Sequence, residues 1–270
     1  DFSCIFSWVS RPLKYLLLLI RELNHLKLHK PYFCKMLIAT KGIVFKSIKF
    51  QESSLIVKIY TETHGLQTFM VKGVRSIKAN GKAAMFQPGM LLDIIMYYQE
   101  HKSFKSLREY RSSHVYTTVM DDIRKSSVLM FLIEMLDQCI HADTEDEKLF
   151  VFINNSLREF DERPFEANFH IQFLLEFMKH LGIFPNGQRT SLLSNFNIRE
   201  GQFTSFSAAN SFILADDESI LFNKVLQNEA FELDRVSRKK VLKIVLDYYS
   251  YHLENFKGIK SLKVLETILS

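Results

Sequence analysis

The sequence is poor in the residues that crosslink a chain or keep it irregular. Its 270 residues include three cysteines, nine glycines and five prolines. Cys4, Cys34 and Cys139 are widely spaced, so they indicate neither a disulfide framework nor a paired-cysteine metal site, and a reducing cytoplasm is expected. With 47% hydrophobic and 24% charged residues, the composition is that of a globular protein. It excludes a disordered, collagen-like or low-complexity chain.

Long hydrophobic runs are also missing. Within residues 1–35 the longest apolar run, Tyr15 to Ile20, is far shorter than the roughly 20 residues of a membrane-spanning helix. Charged residues follow this run where a signal peptide would have small ones, so export is not indicated. An amphipathic helix over residues 13–28 could hold the chain at a membrane surface. The preferred interpretation is that residues 1–35 are upstream sequence and that Met36 opens the working protein.

Catalytic motifs are absent as well. The glycines of the segment Gly73 to Lys82 are separated by seven residues instead of four, and Ala83 follows the lysine, so a phosphate-binding loop is excluded. The dinucleotide-binding, serine-hydrolase and zinc-protease motifs do not occur. The histidines are scattered, without cysteine or carboxylate at ligand spacing. Neither an enzyme nor a cofactor is therefore expected.

Alternating apolar and polar residues predict strands in the first part of the chain. The predicted strands begin at Met36 and then run over residues 55–60, 66–72, 91–98 and 104–110. Five short strands over about 80 residues favour a small closed barrel of the OB-fold type, although a split sandwich has the same periodicity. This module is predicted to span residues 36–114.

A helical period replaces the alternation in residues 115–270. Phe169, Phe173, Phe177 and Leu181 recur every four residues and are followed by Gly182, which predicts a helix and its end. Further helices are predicted over residues 127–140, 147–160 and 236–256, the last capped by Asp234 and ended by Gly258. Acidic clusters lie near expected helix starts, and residues 185–215 form a loop with a hairpin at Glu200-Gly201. The fold class is thus α+β with two domains, a small β-barrel followed by a helical domain.

Charge is distributed unevenly between these parts. Residues 1–35 carry a net charge of +4, residues 36–114 carry +7 and residues 115–270 carry −6. This asymmetry favours a polyanion-binding barrel joined to a different module, and a chance distribution of solvated charges is the alternative. The candidate phosphate contacts are Lys72, Arg75, Lys78 and Lys82 on one loop, and Lys102, Lys105, Arg108 and Arg111 around the fifth strand. Candidate base-stacking rings are Tyr97, Tyr98, Phe104 and Tyr110, half of which must face the barrel interior. Binding independent of base sequence is expected.

The order and spacing of several segments resemble the RecO family of bacterial DNA repair proteins, especially its Bacteroidetes members. The resemblance covers residues 36–270. The segments that carry it are Ser53-Ser54-Leu55-Ile56-Val57, His64-Gly65, Val71-Lys72-Gly73-Val74-Arg75, Phe86-Gln87-Pro88, Asp122-Ile123-Arg124-Lys125-Ser126-Ser127, Ala167-Asn168-Phe169-His170, Leu181-Gly182-Ile183-Phe184-Pro185-Asn186 and Lys260-Ser261-Leu262-Lys263-Val264-Leu265. That Met36 falls at the usual start of the family supports the interpretation of residues 1–35 as upstream sequence.

The resemblance implies a recombination mediator with an N-terminal OB-fold and a helical C-terminal domain. Such proteins bind single- and double-stranded DNA, anneal complementary strands, and act with RecR, and in many bacteria RecF, to load RecA onto DNA coated by single-strand-binding protein. The family's basic loop corresponds to Lys72, Arg75, Lys78 and Lys82.

The resemblance also bears on the helical domain. Many members carry a four-cysteine zinc site there, but residues 182–207 contain no cysteine, so zinc is not expected. For the acidic C-terminal tail of single-strand-binding protein, the candidate contacts are Arg124 and Lys125. An alternative function is a non-enzymatic interaction scaffold whose basic barrel binds an acidic protein partner. A cytoplasmic, nucleoid-associated location is expected.

Overall fold

The computed structural model describes residues 36–76, 79–99, 102–141, 145–205, 211–227 and 232–269. The interpretations of residues 1–35, including the amphipathic helix over 13–28, lie outside the described residues, as does the predicted phosphate contact Lys78. Within the described residues, no helix combines the length and the apolar character needed to cross a membrane.

Five antiparallel strands form the N-terminal domain. They are β1 (Met36–Phe50), β2 (Ser54–Thr61), β3 (Gly65–Val71), β4 (Leu91–Tyr98) and β5 (Ser106–Ser112), in the order β3-β2-β1-β4-β5. A short 3₁₀ helix, Lys82–Phe86, lies between β3 and β4 and buries Phe86 in the core of the sheet. All five strands expected from the alternating pattern are present, which confirms the predicted α+β class with an OB-fold-like first domain.

The expected closed barrel is not formed. Lys105, one residue before β5, donates its backbone N–H to the Thr68 carbonyl at 2.8 Å and accepts from the Met70 N–H at 3.1 Å. Among the described residues this single bridge joins the two sheet edges. Because the β4–β5 pair carries a bulge between Ile95 and Met96, which bends the strand, the edges meet at one point instead of along a ladder.

A second bulge, between Val44 and Lys46 in β1, turns Phe45 toward the helical domain. The Phe45 ring stacks on Tyr60 of β2 with centroids 5.6 Å apart, and both are buried in the core shared with the helices. Val44 and residues such as Phe69 fill the separate core inside the sheet. One end of the sheet's outward face is therefore covered by helices, and the other end is left open.

In the part of the chain that the structure describes, six helices follow the sheet. They are α1 (Ile123–Cys139), α2 (Glu147–Glu162), α3 (Phe169–His180), α4 (Asp216–Leu226), α5 (Arg235–His252) and α6 (Leu262–Ile268). The predicted cap is confirmed at Asp234, whose carboxylate accepts from the Ser237 N–H, and the α3 stripe ends as expected before Gly182 at φ +71°. The expected end of α5 at Gly258 is wrong, because the helix stops at His252. A small hairpin, β6 (Asn195–Asn197) and β7 (Gln202–Thr204), confirms the predicted turn at Glu200-Gly201.

The segment between the sheet and α1 is pinned to the helical domain by a buried carboxylate. Asp161 of α2 is fully buried and accepts the backbone N–H groups of Thr117, Thr118 and Val119 at 2.8 to 3.1 Å. His114 Nε2 lies 3.0 Å from the same carboxylate. Burial by itself raises the pKa of Asp161, but these backbone donors and His114 outweigh it and hold the pKa well below its usual range. Asp161 is thus ionised and fixes the connection between the two domains.

Two tyrosines add further contacts between the domains. The Tyr60 hydroxyl donates to the Asp146 carbonyl at 3.2 Å, and the Tyr116 hydroxyl donates to the Gly89 carbonyl at 2.7 Å. Gly89 has φ +91°, and a Cβ there would lie 2.8 Å from a methyl group of Leu129 on α1. The sheet and the helices therefore pack at close range.

Candidate nucleic-acid interface

The sheet's outward face carries two lysines side by side, next to the part that the helices cover. Lys46 of β1 lies opposite Lys58 of β2, which lies opposite Thr68 of β3. Side chains of directly opposed residues lie on the same face of a sheet, so the three form one row across the strands. The lysine side chains are 53% and 32% exposed. These two lysines form a positively charged surface that can donate hydrogen bonds. The alternating pattern of the sequence alone did not identify them as candidate contacts.

An aliphatic row lies next to the cationic row. Ile48 is paired with Ile56, and Ile56 with Met70. Ile48 is 49% exposed, whereas its neighbours Val57 and Phe69, which point to the other side of the sheet, are completely buried. A band of exposed apolar surface therefore borders the lysines. Such a band can pack against the faces of unstacked bases, although it lacks the aromatic rings that stack most strongly.

The far end of the same face is basic again. Lys72 directly follows β3 and is exposed. The loop after it folds back on the β1–β2 turn, because the Arg75 N–H donates to the Ser53 carbonyl at 3.0 Å and the Arg75 guanidinium donates to the Gln51 carbonyl at 3.2 Å. Lys72 and Arg75 are thus brought to the edge of the aliphatic row. The outward face consists of apolar surface between two groups of cations.

The other predicted phosphate contacts lie elsewhere on the domain. Lys82 lines a cavity of about 900 Å³ beside β4 and β5, together with Arg111, whose guanidinium pairs with Asp93 at 3.1 Å. Arg108 is half exposed and lies 3.3 Å from Glu109, and Lys102 is exposed. The predicted cations that the structure describes therefore do not form one patch, because Lys72 and Arg75 join the outward face and Lys82, Lys102, Arg108 and Arg111 lie near β4 and β5.

Lys105 is not an exposed phosphate contact, in contrast to its assignment from the sequence. The side chain is 6% exposed, and its ammonium donates to the carbonyls of Gln99 at 2.6 Å and Lys102 at 2.7 Å. The ammonium also lies 5.0 Å from the centre of the Tyr98 ring. Lys105 is buried because its backbone bridge to β3 turns the side chain inward where the two edges of the sheet meet.

The candidate stacking rings are mostly engaged in packing. Tyr110 contacts Phe86 with ring centroids 4.8 Å apart, and burial raises its pKa. Tyr98 packs against His64 at 4.5 Å, and Tyr97 is half-buried. Phe104, which is 44% exposed, is the most accessible of the four candidate rings.

Of the two predicted contacts for an acidic tail, Lys125 is buried and Arg124 remains half exposed. Lys125 is 2% exposed, and its ammonium donates to the Thr118 hydroxyl and to the carbonyls of Asp161 and Arg163 at 2.6 to 2.9 Å. Arg124 pairs with Asp122 at 2.6 Å and covers the Phe165 ring at 4.5 Å. Asp122 caps α1, so this pair stabilises the start of the helix. The two basic residues have structural partners, which a sequence does not display.

A groove along α5 offers a basic and apolar surface that the sequence analysis missed. Its volume is about 850 Å³. The apolar lining is Val236, Leu242, Leu246, Phe256, Ile259 and Leu262, the basic lining is Arg235, Lys239, Lys240 and Lys243, and the acidic lining is Glu218, Asp247 and Glu266. Lys239 lies 3.6 Å from Glu266, and Lys240 lies 3.0 Å from Asp217. The signal in the sequence was the run of basic residues at 235–243 within a helix that otherwise buries aliphatic and tyrosine side chains.

A small cavity adjoins this groove and shares Arg235 and Lys239 with it. Its other lining residues include Arg238 and His170. His170 is 1% exposed, and its Nδ1 atom has no hydrogen-bond partner among the described residues. Burial, together with the positive charge of the nearby Arg238, lowers the pKa of His170 to about 3, so the ring is neutral. The cavity combines cations with a neutral polar ring.

The loop at the position of the family's zinc site is held by side-chain hydrogen bonds. The Arg189 guanidinium donates to the Ser194 carbonyl at 2.9 Å and to the Asp216 carboxylate at 2.8 Å. The Asn223 side chain accepts from the Arg189 N–H at 3.1 Å. Within the described part of the chain, no group of three or more histidine, cysteine, aspartate or glutamate residues is placed to hold a metal ion.

Comparison with known proteins points to one family over nearly the whole described chain. The family model for the recombination protein O N terminal domain matches residues 36–116, and that for the C terminal domain matches residues 120–263. DNA repair protein RecO of Flavobacterium johnsoniae is 37% identical over 240 residues, covering 87% of this chain and 100% of that protein. The proteins of the same name from Flavobacterium psychrophilum and Phocaeicola vulgatus are 36% and 32% identical, with the same coverage of this chain and of their own.

Proposed function

The chain belongs to the recombination protein O family, and we propose that it is a DNA repair mediator that binds single- and double-stranded DNA and anneals complementary strands. The observation that carries this proposal is the outward face of β1, β2 and β3, where apolar surface lies between two groups of cations. The protein acts by binding, without covalent catalysis, in the cytoplasm. It functions with RecR, and where present RecF, to load RecA onto DNA coated by single-strand-binding protein.

The proposed mechanism follows from the chemistry of this face. Lys46, Lys58 and Lys72 neutralise phosphates and release the counterions condensed on them, which favours binding most strongly at low salt. Ile48 and its neighbours contact exposed bases without reading hydrogen-bonding edges, so the base sequence is not discriminated. Neutralising two strands at once lowers the repulsion between them and so promotes pairing.

A salt titration tests the DNA-binding proposal. Fluorescence anisotropy with a labelled single-stranded oligonucleotide gives the slope of log affinity against log salt for the full chain. Replacing Lys46 and Lys72 by alanine is expected to flatten that slope by about 0.7 per lost phosphate contact. Lys224→Ala, an exposed lysine on α4, is the matched control and is expected to leave the slope unchanged. A slope near zero for the unaltered protein, or no binding at low salt, would contradict the proposal, and the same variants in a strand-annealing assay extend the test to function.

A second surface supports the proposal that single-strand-binding protein is a partner. We place the acidic tail of single-strand-binding protein in the groove along α5, because the basic residues there flank an apolar floor. Acidic side chains would pair with Lys243 and Arg235, and apolar ones would pack on Phe256 and Ile259. The adjoining cavity, with Arg238 and His170, is of a size to take a carboxylate group.

A tail peptide tests this placement. Lys243→Glu is expected to weaken its binding at least tenfold, because an attractive contact is replaced by repulsion at the groove. Lys224→Glu, with the same charge change on α4, is expected to bind as the unaltered protein does. Equal affinities for the two variants would exclude the groove as the tail site while leaving the DNA-binding proposal intact.

The alternative scaffold function makes a different prediction. If the basic sheet binds an acidic protein and not DNA, replacing Lys46 and Lys72 must remove a protein partner from a pull-down. If the variant keeps every partner, including RecR, and loses DNA, the scaffold hypothesis is contradicted.

A further inference from the structure

One carboxylate of the helical domain lies on the cationic row of the sheet. Asp137, near the end of α1, accepts a hydrogen bond from the Lys58 ammonium, and its other oxygen lies 4.0 Å from the Lys46 ammonium. The Asp137 side chain is 18% exposed. A carboxylate presents two charged oxygens to an ammonium much as a phosphate does. The two lysines that a DNA strand would use therefore already share one internal anion, which offsets one of their two charges.

The contact is not needed to hold the domains together. The buried Asp161 pins the connecting segment, and the Tyr60 and Tyr116 hydroxyls bond across the junction. Phe45, Tyr60 and Phe150 pack as a continuous aromatic cluster there. An ion pair whose lysines are one third or more exposed contributes little to stability by comparison. Asp137 can therefore have a role other than stabilising the junction between the domains.

The helix turn that carries Asp137 is held in place from its other side. The Glu134 carboxylate accepts the backbone N–H groups of Lys260 and Ser261, both at 2.9 Å. Gln138 accepts from the Lys257 N–H at 2.8 Å and donates to the Gly258 carbonyl at 2.6 Å. Neighbours on both sides of Asp137 are bonded to the segment before α6, so the carboxylate stays over the sheet and the flexible lysine side chains are what must move.

We propose that Asp137 is an internal phosphate mimic that competes with DNA for Lys58 and Lys46 and so sets the affinity of the outward face. This inference rests on the proposed DNA-binding function. A strand gains these two cations only by displacing the carboxylate, which lowers its affinity and speeds its release. Weak holding of each strand suits a protein that must let go of the duplex it has formed.

The test is Asp137→Asn in the full chain, a change that keeps the size of the side chain and removes its charge. Freeing one lysine steepens the salt slope for single-stranded DNA by about 0.7, which corresponds to about fivefold tighter binding at 0.1 M salt when affinities at 1 M are equal. Glu176→Gln is the matched control, because it removes the same charge and ends a lysine pair of 2.7 Å on α3, away from this contact. It is expected to leave the slope unchanged.

A double substitution assigns any gain to the proposed contact. Adding Lys58→Gln to Asp137→Asn is expected to abolish the fivefold gain, and Asp137→Ser with a thermal melt provides a second charge-removing variant should the asparagine variant fold poorly. If Asp137→Asn and Asp137→Ser bind like Glu176→Gln, or more weakly than the unaltered protein, the inference is wrong. If the unaltered protein itself binds no DNA at low salt, the proposed function fails first, so the two failures are distinguishable.

Discussion

The strongest stability prediction concerns Asp161, the buried carboxylate that pins the segment between the sheet and α1. We predict that Asp161→Asn destabilises the whole protein, although the side chain keeps its size and shape. An amide NH₂ group in the position of Oδ2 cannot accept the Thr117 N–H at 2.9 Å or pair with His114, and the remaining neutral Oδ1 accepts the Thr118 and Val119 N–H groups more weakly than a carboxylate does. Hydrogen bonds to a charged acceptor contribute about 1.5 to 3 kcal/mol each, and an unpaired buried donor costs a further 1 to 3 kcal/mol.

The expected loss is therefore about 3 kcal/mol at pH 7, similar to the breaking of other buried charged contacts. It must also depend on pH. The pKa of Asp161 is lower in the folded protein than the value of about 3.9 in an unfolded chain, so its stabilising contribution is complete above about pH 5. That contribution is lost as the pH falls from there toward the folded-state pKa. The difference between the unaltered protein and the asparagine variant should shrink over the same interval.

Thermal unfolding followed by circular dichroism at pH 7 and at pH 3.5 measures both effects. For a chain of this size, 3 kcal/mol corresponds to a decrease in Tm of about 6 to 12 °C. Asp121→Asn, an exposed aspartate close to the same segment, is the control and should shift Tm by less than about 2 °C. A loss below about 1 kcal/mol at pH 7, or a difference that is the same at both pH values, would refute the reasoning.

Three further substitutions test other contacts by the same thermal assay. Lys125→Met removes the buried ammonium that donates to three acceptors, among them the carbonyl of the buried Asp161, and should cost about 3 kcal/mol, while equal stability would show that the acceptors find other partners. Gly89→Ala forces a Cβ against Leu129 at φ +91° and should cost about 2 kcal/mol, so a neutral result would contradict the close packing of the domains. Asp146→Ala removes the N-cap of α2, which accepts from the Leu149 N–H, and should cost about 1 kcal/mol. An unchanged Tm would contradict this prediction.

Local patterns predicted the elements of this fold well. The aromatic stripe from Phe169 to Phe177 and the stop at Gly182 define α3 in the structure as they do in the sequence. The alternating pattern likewise located the strands, because each strand buries its side chains of one face in the core of the sheet. The helix α6 was not predicted, since its seven residues are too short to display a helical period.

The candidate site was less accessible to sequence reasoning, because it depends on contacts between distant residues. Lys105 and Lys125 carry the same charge as exposed lysines, and only the meeting of the sheet edges and the packing of α1 on α2 bury them. Lys46 and Lys58 were overlooked for the opposite reason. The bulge before Lys46 resets the alternation of β1, and only the strand register shows that the two lysines share a face.

The fixed junction between the domains has a consequence for how partners would be held. Since Asp161 and the tyrosine contacts prevent the domains from swinging freely, the outward face of the sheet and the groove along α5 keep a constant separation. A DNA-bound partner carrying an acidic tail would then engage the second surface at the millimolar effective concentration of a tethered ligand. Two weak contacts at a set spacing would together bind the partner more tightly than either contact alone, and removing one of them would return the affinity to that of the other.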